Sequence, residues 1–377
     1  MQNCSGFFRS IIDPSRYINI DSVLVVTHTN VETSCFLDAL SGVIRVAAVI
    51  PKASSKKFSD LNLLKKNYPV FDVDRRSILE NPENFIDEIK FLTKNERFAI
   101  IDMGGYFSHV AIDLLKKFND QIVGIVEDTE NGHQKYENLI KQKTSSSILF
   151  PIISVARSPL KEPEDWLVGQ AIVFSAEAVM RSLGMILLGK RVGVIGFGKI
   201  GKSIAISLVS RGSRVDVYDS NPILLASALS HGFHTSSRSE FLGSVDILFC
   251  ATGNRSLSTL DEIYFKDGLH IFCATSSDDE LSTCLREKIS SVVSRISVHT
   301  TKITLKNKSI YIHNEGNSIN FVHGAVVDSF IELVQGEIIY SLGSLANAPR
   351  NSISYISELD KKFIAETWIN HHRYLQG

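Results

Sequence analysis

Short apolar runs alternate with amphipathic stretches through the first half of the chain. The predicted strands are 22–28, 43–50, 69–73, 98–102, 122–126 and 151–155, and helical spacing of apolar residues predicts helices at 31–40, 83–92, 110–118 and 132–141. Strands that alternate with helices in this way predict a parallel sheet covered by helices on both faces. Ligands of such sheets bind beyond the carboxyl ends of the strands.

The second half continues the alternation after a long helix predicted at 165–188. Strands are predicted at 191–195, 214–219, 246–252, 270–273, 291–304 and 309–313, with helices at 199–208 and 221–232. Two apolar helices, predicted at 324–342 and 359–371, close the chain. We expect them to return to the first half.

A glycine-rich turn joins the strand at 191–195 to its following helix. Gly196, Gly198 and Gly201 have the spacing of a dinucleotide-binding turn, and Asp219 ends the next apolar run eighteen residues after Gly201. The turn, with Lys199 and Ile200 inside it, offers backbone N–H groups to a pyrophosphate. A carboxylate at 219 hydrogen-bonds an adenosine ribose and repels a 2′-phosphate, so NAD is predicted over NADP.

These patterns predict an α/β protein with two doubly wound parallel-sheet domains, the second a Rossmann NAD-binding domain. The first is a substrate-binding domain at 1–184, completed by C-terminal helices at 325–377. The second spans 185–324. A chain of 377 residues is long enough for two such domains.

Composition excludes several classes of function. The net charge is -1, so neither nucleic acid nor an acidic membrane is an expected partner. The five cysteines lack metal-binding spacing and fit reduced thiols, and we predict no metal. The N-terminus lacks a signal-peptide pattern, and polar residues interrupt the apolar segment 171–188, so a cytoplasmic protein is predicted.

Further motifs fall in the order found in the S-adenosylhomocysteine hydrolase family, which the chain resembles over about residues 20–370. They are Thr27-His-Thr-Asn-Val-Glu-Thr33, Asp102-Met-Gly-Gly105, Glu127-Asp-Thr-x-x-Gly132, Lys161-x-x-x-Asp165, Asp219-x-Asn-Pro222 and Thr252-Gly-Asn254. The resemblance implies NAD and a redox-assisted elimination on a nucleoside. In that reaction a ribose 3′-hydroxyl is oxidised, the 4′-proton is removed, a thiol leaves C5′, water adds, and the ketone is reduced again.

The resemblance also implies roles for single residues, each with a plainer alternative from the residues alone. Lys161 and Asp165 would handle the 3′-hydroxyl, and from spacing alone they are a surface ion pair at a helix start. His28 would lie near C5′, and Asp128 stands where the family has a glutamate. Substrate contacts are implied for Asn30, Glu32 and His323, and cofactor contacts for Thr129, Thr252, Gly253, Asn254 and Asn314. A glutamate such as Glu32 is also common in a first helical turn.

Two departures bear on the chemistry. Met103 replaces a carboxylate of the family's Asp-Asp-Gly-Gly motif, and Ser277 stands where the family has a histidine. Neither side chain can replace the proton transfer that is lost. We therefore predict oxidation of a ribose hydroxyl, with full hydrolysis in doubt, by a homodimer or larger homo-oligomer acting on a small adenosine-type substrate.

Two other classes of function remain open. A dehydrogenase of the 2-hydroxy acid type shares the two-domain design, with Arg255 and His299 as its candidate residues. A regulatory paralogue that keeps NAD without catalysis would explain the missing carboxylate and histidine. Retained Lys161, Asp165 and His28 argue against the regulatory paralogue.

Overall fold

The computed structural model describes residues 5–29, 31–56, 58–142, 149–291 and 294–373, with side chains except at 5, 31, 32, 54 and 58–60. Its strands are β1 Ser22–Thr27, β2 Arg45–Pro51, β3 Phe98–Asp102, β4 Ile122–Glu127, β5 Ile152–Ser154, β6 Arg191–Ile195, β7 Arg214–Tyr218, β8 Ile247–Cys250, β9 Leu269–Cys273, β10 Ser294–Ser297, β11 Thr300–Leu305, β12 Lys308–His313 and β13 Ile353–Ser354.

The α-helices are α1 Ser5–Ile11, α2 Val31–Ser41, α3 Phe58–Asn67, α4 Arg75–Glu80, α5 Pro82–Thr93, α6 Ala111–Phe118, α7 Glu130–Gln142, α8 Glu162–Ser182, α9 Lys199–Ser210, α10 Pro222–Ser230, α11 Arg238–Ser244, α12 Ser277–Glu280, α13 Thr283–Ser290, α14 Phe330–Leu342 and α15 Glu358–His371. Short 3₁₀ turns include Pro159–Lys161, Asn314–Gly316 and Ile319–His323. The fold is α/β, as the sequence predicts.

The chain forms two compact units, residues 1–161 with 329–377 (unit 1) and residues 162–328 (unit 2). The first division falls at the start of α8, whereas the sequence suggested 184. Close packing of α8 on α9 explains this position, because a side chain at Gly169 would meet Ser203 at 2.4 Å. The hydroxyl of Ser203 also donates to the carbonyl of Trp166 at 2.6 Å. The substrate and cofactor roles of the two domains stay predictions.

The sheet of unit 1 has the strand order β13-β5-β4-β3-β1-β2, and its neighbouring strands are parallel. Strand residues alternate between two cores, so Val23 and Val25 face one and Leu24 and Val26 the other. Helix α14 contributes Ile338 to the first core. Burial on both faces is the usual state of a parallel sheet.

The sheet of unit 2 has the order β10-β11-β12-β9-β8-β6-β7. Strands β7, β6, β8, β9 and β12 run parallel, while β11 pairs antiparallel with β12 and with β10. This is a doubly wound parallel sheet with a hairpin at one edge. The single strand predicted at 291–304 was therefore wrong, because a turn at residues 298 and 299 separates β10 from β11.

Three other predicted elements differ from the structure, two of them because of residues with positive φ. Residues 69–73 form no strand, and only Val70 makes an isolated bridge, to Val49. The helix predicted to reach 188 ends at Ser182, just before Gly184 at φ 76°. The helix predicted from 324 begins at Phe330, since Gly324 at φ 90° and Asp328 at φ 54° cannot continue a helix.

Two expectations from the composition, on cysteines and on membrane-spanning helices, can be compared with the structure. Cys250, Cys273 and Cys284 carry free thiols, as expected. Cys35 is disulfide-bonded, so the expectation is wrong there, and Cys4 lies outside the described residues. Within the described ranges, no helix is both long and apolar enough to cross a membrane.

Candidate functional site

In unit 1 the polar residues singled out from the sequence collect at the carboxyl edge of the sheet. The strand order reverses between β1 and β3, and open α/β sheets bind ligands beside such a reversal. His28 follows β1, Asp102 ends β3, Glu127 ends β4, and Asp128 comes directly after it. Their hydrogen bonds separate structural carboxylates from those available for chemistry.

Asp102 is a structural carboxylate. It is fully buried. Its Oδ1 accepts from the backbone N–H groups of Met103 and Tyr106 at 2.8 and 3.0 Å. Its Oδ2 accepts from the N–H of Phe107 at 3.1 Å and from the hydroxyl of Tyr136 at 2.5 Å. These four bonds hold the turn after β3, so Asp102 has little capacity left for proton transfer.

Glu127, opposite Asp102 in the sheet, has a similar structural role. Its carboxylate accepts from the N–H groups of Gly104 at 2.9 Å and Gly105 at 3.1 Å, and from the hydroxyl of Thr129 at 2.7 Å. Burial, and secondarily Asp102, raises the pKa of Glu127 to about 8. Thr129, predicted to contact the cofactor, uses its hydroxyl in this network.

Gly132 completes the network by leaving room for the Glu127 carboxylate. A Cβ at Gly132 would lie 2.1 Å from Cδ of Glu127. The spacing Glu127-x-x-x-x-Gly132 is therefore a steric requirement of the turn. The motifs Asp102-Met-Gly-Gly105 and Glu127-Asp-Thr-x-x-Gly132, both part of the family resemblance, thus form one buried hydrogen-bond network.

Asp128 and Lys161 form a buried ion pair, with Nζ of Lys161 2.9 Å from Oδ1 of Asp128. The side chains are 9% and 7% exposed, in the order Lys161 and Asp128. A charge pair at this depth is costly to desolvate and is weak evidence for stability. Buried, partnered charges at a ligand-binding edge are nevertheless common in functional sites.

Lys161 was predicted to pair with Asp165, which lies four residues later in unit 2. Within unit 2, Oδ2 of Asp165 lies 3.4 Å from Nζ of Lys199. The predicted pairing of Lys161 with Asp165 joins two units and stays a prediction.

His28 is partly buried beside two cations. Its Nδ1 lies 2.7 Å from the hydroxyl of Ser55. Desolvation, and then the positive charges of Lys52 and Lys161, hold the pKa of His28 well below its usual value. The imidazole is therefore neutral near pH 7, and it can accept a proton or polarise a nearby group.

The predicted substrate residues belong to different units of the chain. Asn30 and the side chain of Glu32 lie outside the described residues. His323 is exposed on a 3₁₀ turn of unit 2, with its ring 5.5 Å from that of Phe174. Their contacts with a substrate stay predictions.

The two departures from the family are visible in the structure. Met103 packs against the apolar core beneath β3. Ser277 opens α12 and donates its backbone N–H to Oδ1 of Asn317 at 3.3 Å. Neither position supplies a group that titrates near neutral pH.

In unit 2 the glycine turn has the geometry that a dinucleotide needs. Gly196 has φ 93°, and a Cβ there would lie 2.6 Å from the carbonyl oxygen of Ala251. A Cβ at Gly201 would lie 1.9 Å from the carbonyl oxygen of Gly196, so only glycine fits. A Cβ at Gly198 would meet nothing within 4 Å. That open side, at the N-terminus of α9, leaves room for a pyrophosphate.

Three further residues predicted to contact the cofactor make contacts within unit 2. Oδ2 of Asp219 accepts from the N–H of Phe197 at 2.7 Å, which fixes the carboxylate beside the turn. Ile200, inside the turn, packs into the apolar core of unit 2. The amide of Asn314, at φ 48°, donates to the carbonyl of Ser318 at 3.0 Å.

The Thr252-Gly253-Asn254 turn is held by Glu280, a residue that the sequence did not single out. Glu280 is fully buried, and burial raises its pKa. Its carboxylate accepts from the N–H of Gly253 at 2.9 Å and the hydroxyl of Thr252 at 3.1 Å. The hydroxyl of Thr252 also accepts from the N–H of Asn254 at 3.0 Å. An acidic residue in the run Ser277-Asp-Asp-Glu280 gave no signal that it would be buried.

Comparison with known proteins agrees with this geometry. Residues 173–326 match the family model described as the NAD-binding domain of S-adenosyl-L-homocysteine hydrolase. The cofactor of this domain is therefore NAD, as predicted. Within that range lie the glycine turn, Asp219 and the Thr252-Gly-Asn254 turn.

Curated relatives include two adenosylhomocysteinases. The protein from Thermotoga maritima is 27% identical over 229 residues, 60% of this chain and 55% of the relative. That from Sulfolobus acidocaldarius is 27% identical over 247 residues, 64% of this chain and 58% of the relative. The matched region thus spans little more than half the length of these relatives.

Solved structures resemble the chain only distantly. The TT0316 protein from Thermus thermophilus is 12% identical, with a TM-score of 0.46, covering 86% of this chain and 97% of that chain. D-lactate dehydrogenase from Escherichia coli is 11% identical, with a TM-score of 0.43 and the same coverage. Similarity at this level carries no argument about function.

Proposed function

We propose that this chain is a divergent member of the S-adenosylhomocysteine hydrolase family, as its matches support, and that it is an NAD-dependent enzyme that oxidises a ribose hydroxyl of a nucleoside or nucleoside thioether. The observation that carries the proposal is the buried Lys161–Asp128 pair at the carboxyl edge of the sheet in unit 1. The other unit of the same chain carries the NAD-binding domain.

The residues of unit 1 divide the proton chemistry between them. Oxidation of a hydroxyl removes a proton from oxygen and a hydride from carbon, and NAD when bound supplies the hydride acceptor. In this proposal the neutral amine of Lys161 takes the hydroxyl proton on Nζ, and Asp128 fixes the direction of that amine. His28, neutral near pH 7, faces the leaving group. Asp165 assists Lys161, as the resemblance implies.

The hydrolytic half of the cycle is expected to be weak. Met103 packs in the core and Ser277 offers only a hydroxyl, so the two groups implied by the family for the carbon-acid step are missing. Asp102 cannot replace the lost carboxylate, because both of its oxygens accept structural hydrogen bonds. A positioned acid or base contributes about 10²–10⁴-fold in rate, so elimination should lag far behind oxidation.

A single-turnover experiment tests this proposal. NAD-loaded protein is mixed with adenosine or with S-adenosylhomocysteine, and NADH absorbance and free thiol are followed separately. We expect NADH to form with both compounds and thiol to be released slowly. Lys161→Met should lower the rate of NADH formation by about 10²-fold or more, because a general base is lost. Lys116→Met, which removes a surface lysine paired with Asp113, is the control.

Two outcomes would contradict the proposal. If no nucleoside produces NADH although NAD binds, the regulatory hypothesis takes its place. If NADH forms with 2-hydroxy acids and depends on Arg255 and His299, the protein is a dehydrogenase of that type. Burial, and then the charges of His323 and Arg295, lower the pKa of His299. Among the described residues no carboxylate contributes to this shift, so His299 lacks the carboxylate partner that such a dehydrogenase needs.

A further inference from the structure

Glu337 is a buried carboxyl group that the chemistry above leaves unassigned. It lies on α14, the residue is 1% exposed, and its Oε2 makes no hydrogen bond within the described part of the chain. Buried polar atoms almost always have partners, so an unpaired carboxyl oxygen needs an explanation. Its position in the fold provides one.

The polar and charged groups that act on Glu337 come from elements of unit 1 that pack against α14. Helix α14 packs on the 3₁₀ turn Pro159–Lys161 and on β4. The hydroxyl of Ser158 interacts with the Glu337 carboxyl, Lys161 and Lys361 present positive charges to it, and Asp128 presents a negative charge. Glu337 is thus a third titratable group beside the Lys161–Asp128 pair.

The charges of this cluster favour a protonated Glu337. The Lys161–Asp128 pair is neutral as a unit, and Nζ of Lys361 donates to the Glu358 carboxylate at 2.7 Å. An ionised Glu337 would therefore add an uncompensated buried negative charge, which is costly. Burial raises the pKa of Glu337 to about 7, with Asp128 adding to this and Ser158, Lys361 and Lys161 opposing it.

We propose that Glu337 is a positioning residue for Lys161, a proton-carrying carboxyl that sets whether the Lys161 amine is charged. The proposal rests on the role given to Lys161 above. When Glu337 is protonated, the Asp128 carboxylate favours the proton on Lys161. When Glu337 ionises, a second carboxylate holds that proton, and the neutral amine forms only at higher pH. The two groups therefore titrate as a coupled pair.

The first test measures the lysine directly and needs no substrate. Protein is treated with acetic anhydride across a pH series, and acetylation of Lys161 is quantified by peptide mass spectrometry, because only the neutral amine reacts. We expect Glu337→Gln to move the midpoint of Lys161 acetylation to lower pH by about one pH unit, the effect of removing one nearby charge. Glu332→Gln is the matched control, since this glutamate lies on the same helix but pairs with His372 at 2.8 Å.

The second test uses infrared spectroscopy on the wild-type protein and so does not depend on a variant that folds. We expect part of the carboxylic acid C=O absorption to disappear in a step centred near pH 7, because the pKa of Glu337 is about 7. The buried Glu127, with a pKa of about 8, should lose its band at higher pH. In Glu337→Gln the step near pH 7 should be missing, and in Glu332→Gln it should remain. A wild-type protein without this step, or identical Lys161 acetylation profiles in wild type and Glu337→Gln, would overturn the inference.

The kinetic consequence separates this inference from the proposed function. If Lys161 is the base, NADH formation in Glu337→Gln should reach its high-pH plateau about one pH unit earlier than in wild type. A shifted acetylation midpoint in a protein that produces no NADH would support the role of Glu337 and reject the proposed oxidation. If NADH forms with the same pH profile in wild type and in Glu337→Gln, the proposed oxidation is supported and the role of Glu337 is rejected.

Discussion

At the scale of single residues, the family motifs of unit 1 serve structure as much as chemistry. Asp102, Glu127 and Gly132 are committed to one buried turn network. Asp128 is the neighbour of Glu127 in sequence but points to Lys161 instead. Successive strand residues face opposite sides, so one motif supplies both a structural and a candidate catalytic carboxylate.

Replacement of Gly132 tests this structural network. Alanine is normally favoured over glycine inside a helix by about 1 kcal/mol. Here the added methyl would lie 2.1 Å from Cδ of Glu127, so we expect Gly132→Ala to lower the free energy of unfolding by about 1–3 kcal/mol. Urea titration measures it. Gly42→Ala is the control, since its nearest contact is 3.4 Å away, and an equal loss there would refute the steric account.

The pH dependence of stability should carry the signature of Glu337. Its pKa is raised in the folded state to about 7, above the value of an exposed glutamate. The folded protein therefore binds this proton more tightly, and stability falls as the pH rises through the range up to 7. We expect the wild type to lose on the order of 1–3 kcal/mol relative to Glu337→Gln between pH 5 and pH 8. Urea titration at both pH values measures this. If wild type and Glu337→Gln differ in free energy of unfolding by the same amount at pH 5 and at pH 8, the prediction is wrong.

At the scale of elements, the β6–turn–α9 segment combines two different demands on glycine. A side chain at Gly201 is blocked by the protein itself, 1.9 Å from the carbonyl oxygen of Gly196. A side chain at Gly198 is free of protein contacts and would instead occupy the space of a pyrophosphate. The same motif therefore encodes both packing and binding.

Paired alanine variants should separate these demands. Gly198→Ala should leave the thermal midpoint unchanged and weaken NAD binding about tenfold or more, a loss near 1.4 kcal/mol. Gly201→Ala should lower the thermal midpoint itself, because the helix must move away from the strand. Calorimetric NAD titration and thermal melts measure the two effects. If Gly198→Ala binds NAD as the wild type does, the assigned position of the pyrophosphate is wrong.

At the scale of the whole molecule, unit 1 is assembled from two distant parts of the sequence. Helix α14 packs on β4 and on α1, and its residues Val334, Ile338, Ile339 and Leu342 are buried there. An apolar helix of this kind is also a candidate subunit contact, and with the family resemblance it was a reason to predict a homo-oligomer. Since the helix is covered within unit 1, the homo-oligomer now rests on the family resemblance alone.

Truncation tests this division of the chain. A protein ending at residue 328 should lose the cooperative unfolding of unit 1, because the apolar strands of its sheet would be left uncovered. Unit 2 alone, residues 162–328, should fold and bind NAD with the affinity of the whole protein. Circular dichroism melts and NAD titrations measure both. A native-like melt of unit 1 without residues 329–377 would refute the assignment of these residues.

The sequence by itself determined the fold class, the cofactor and the order of most elements. Period-two and period-3.6 patterns report local burial, and the spacing of Gly196, Gly198, Gly201 and Asp219 is a local requirement of one turn. The boundaries of elements that depend on backbone geometry were predicted less accurately. The residues with positive φ near Gly324 delayed the start of α14, and apolar residues alone did not reveal this.

Only the tertiary structure decided which polar residues meet. Glu280 and Glu337 look like ordinary acidic residues of amphipathic helices, yet both are buried against partners that are distant in sequence or belong to other elements. Asp102 and Glu127 belong to family motifs at strand ends, yet both carboxyl groups accept hydrogen bonds from backbone N–H groups. Hydrogen bonds and charge interactions depend on distances in three dimensions. The spacing of apolar residues along the sequence reports local burial and carries no information about those distances.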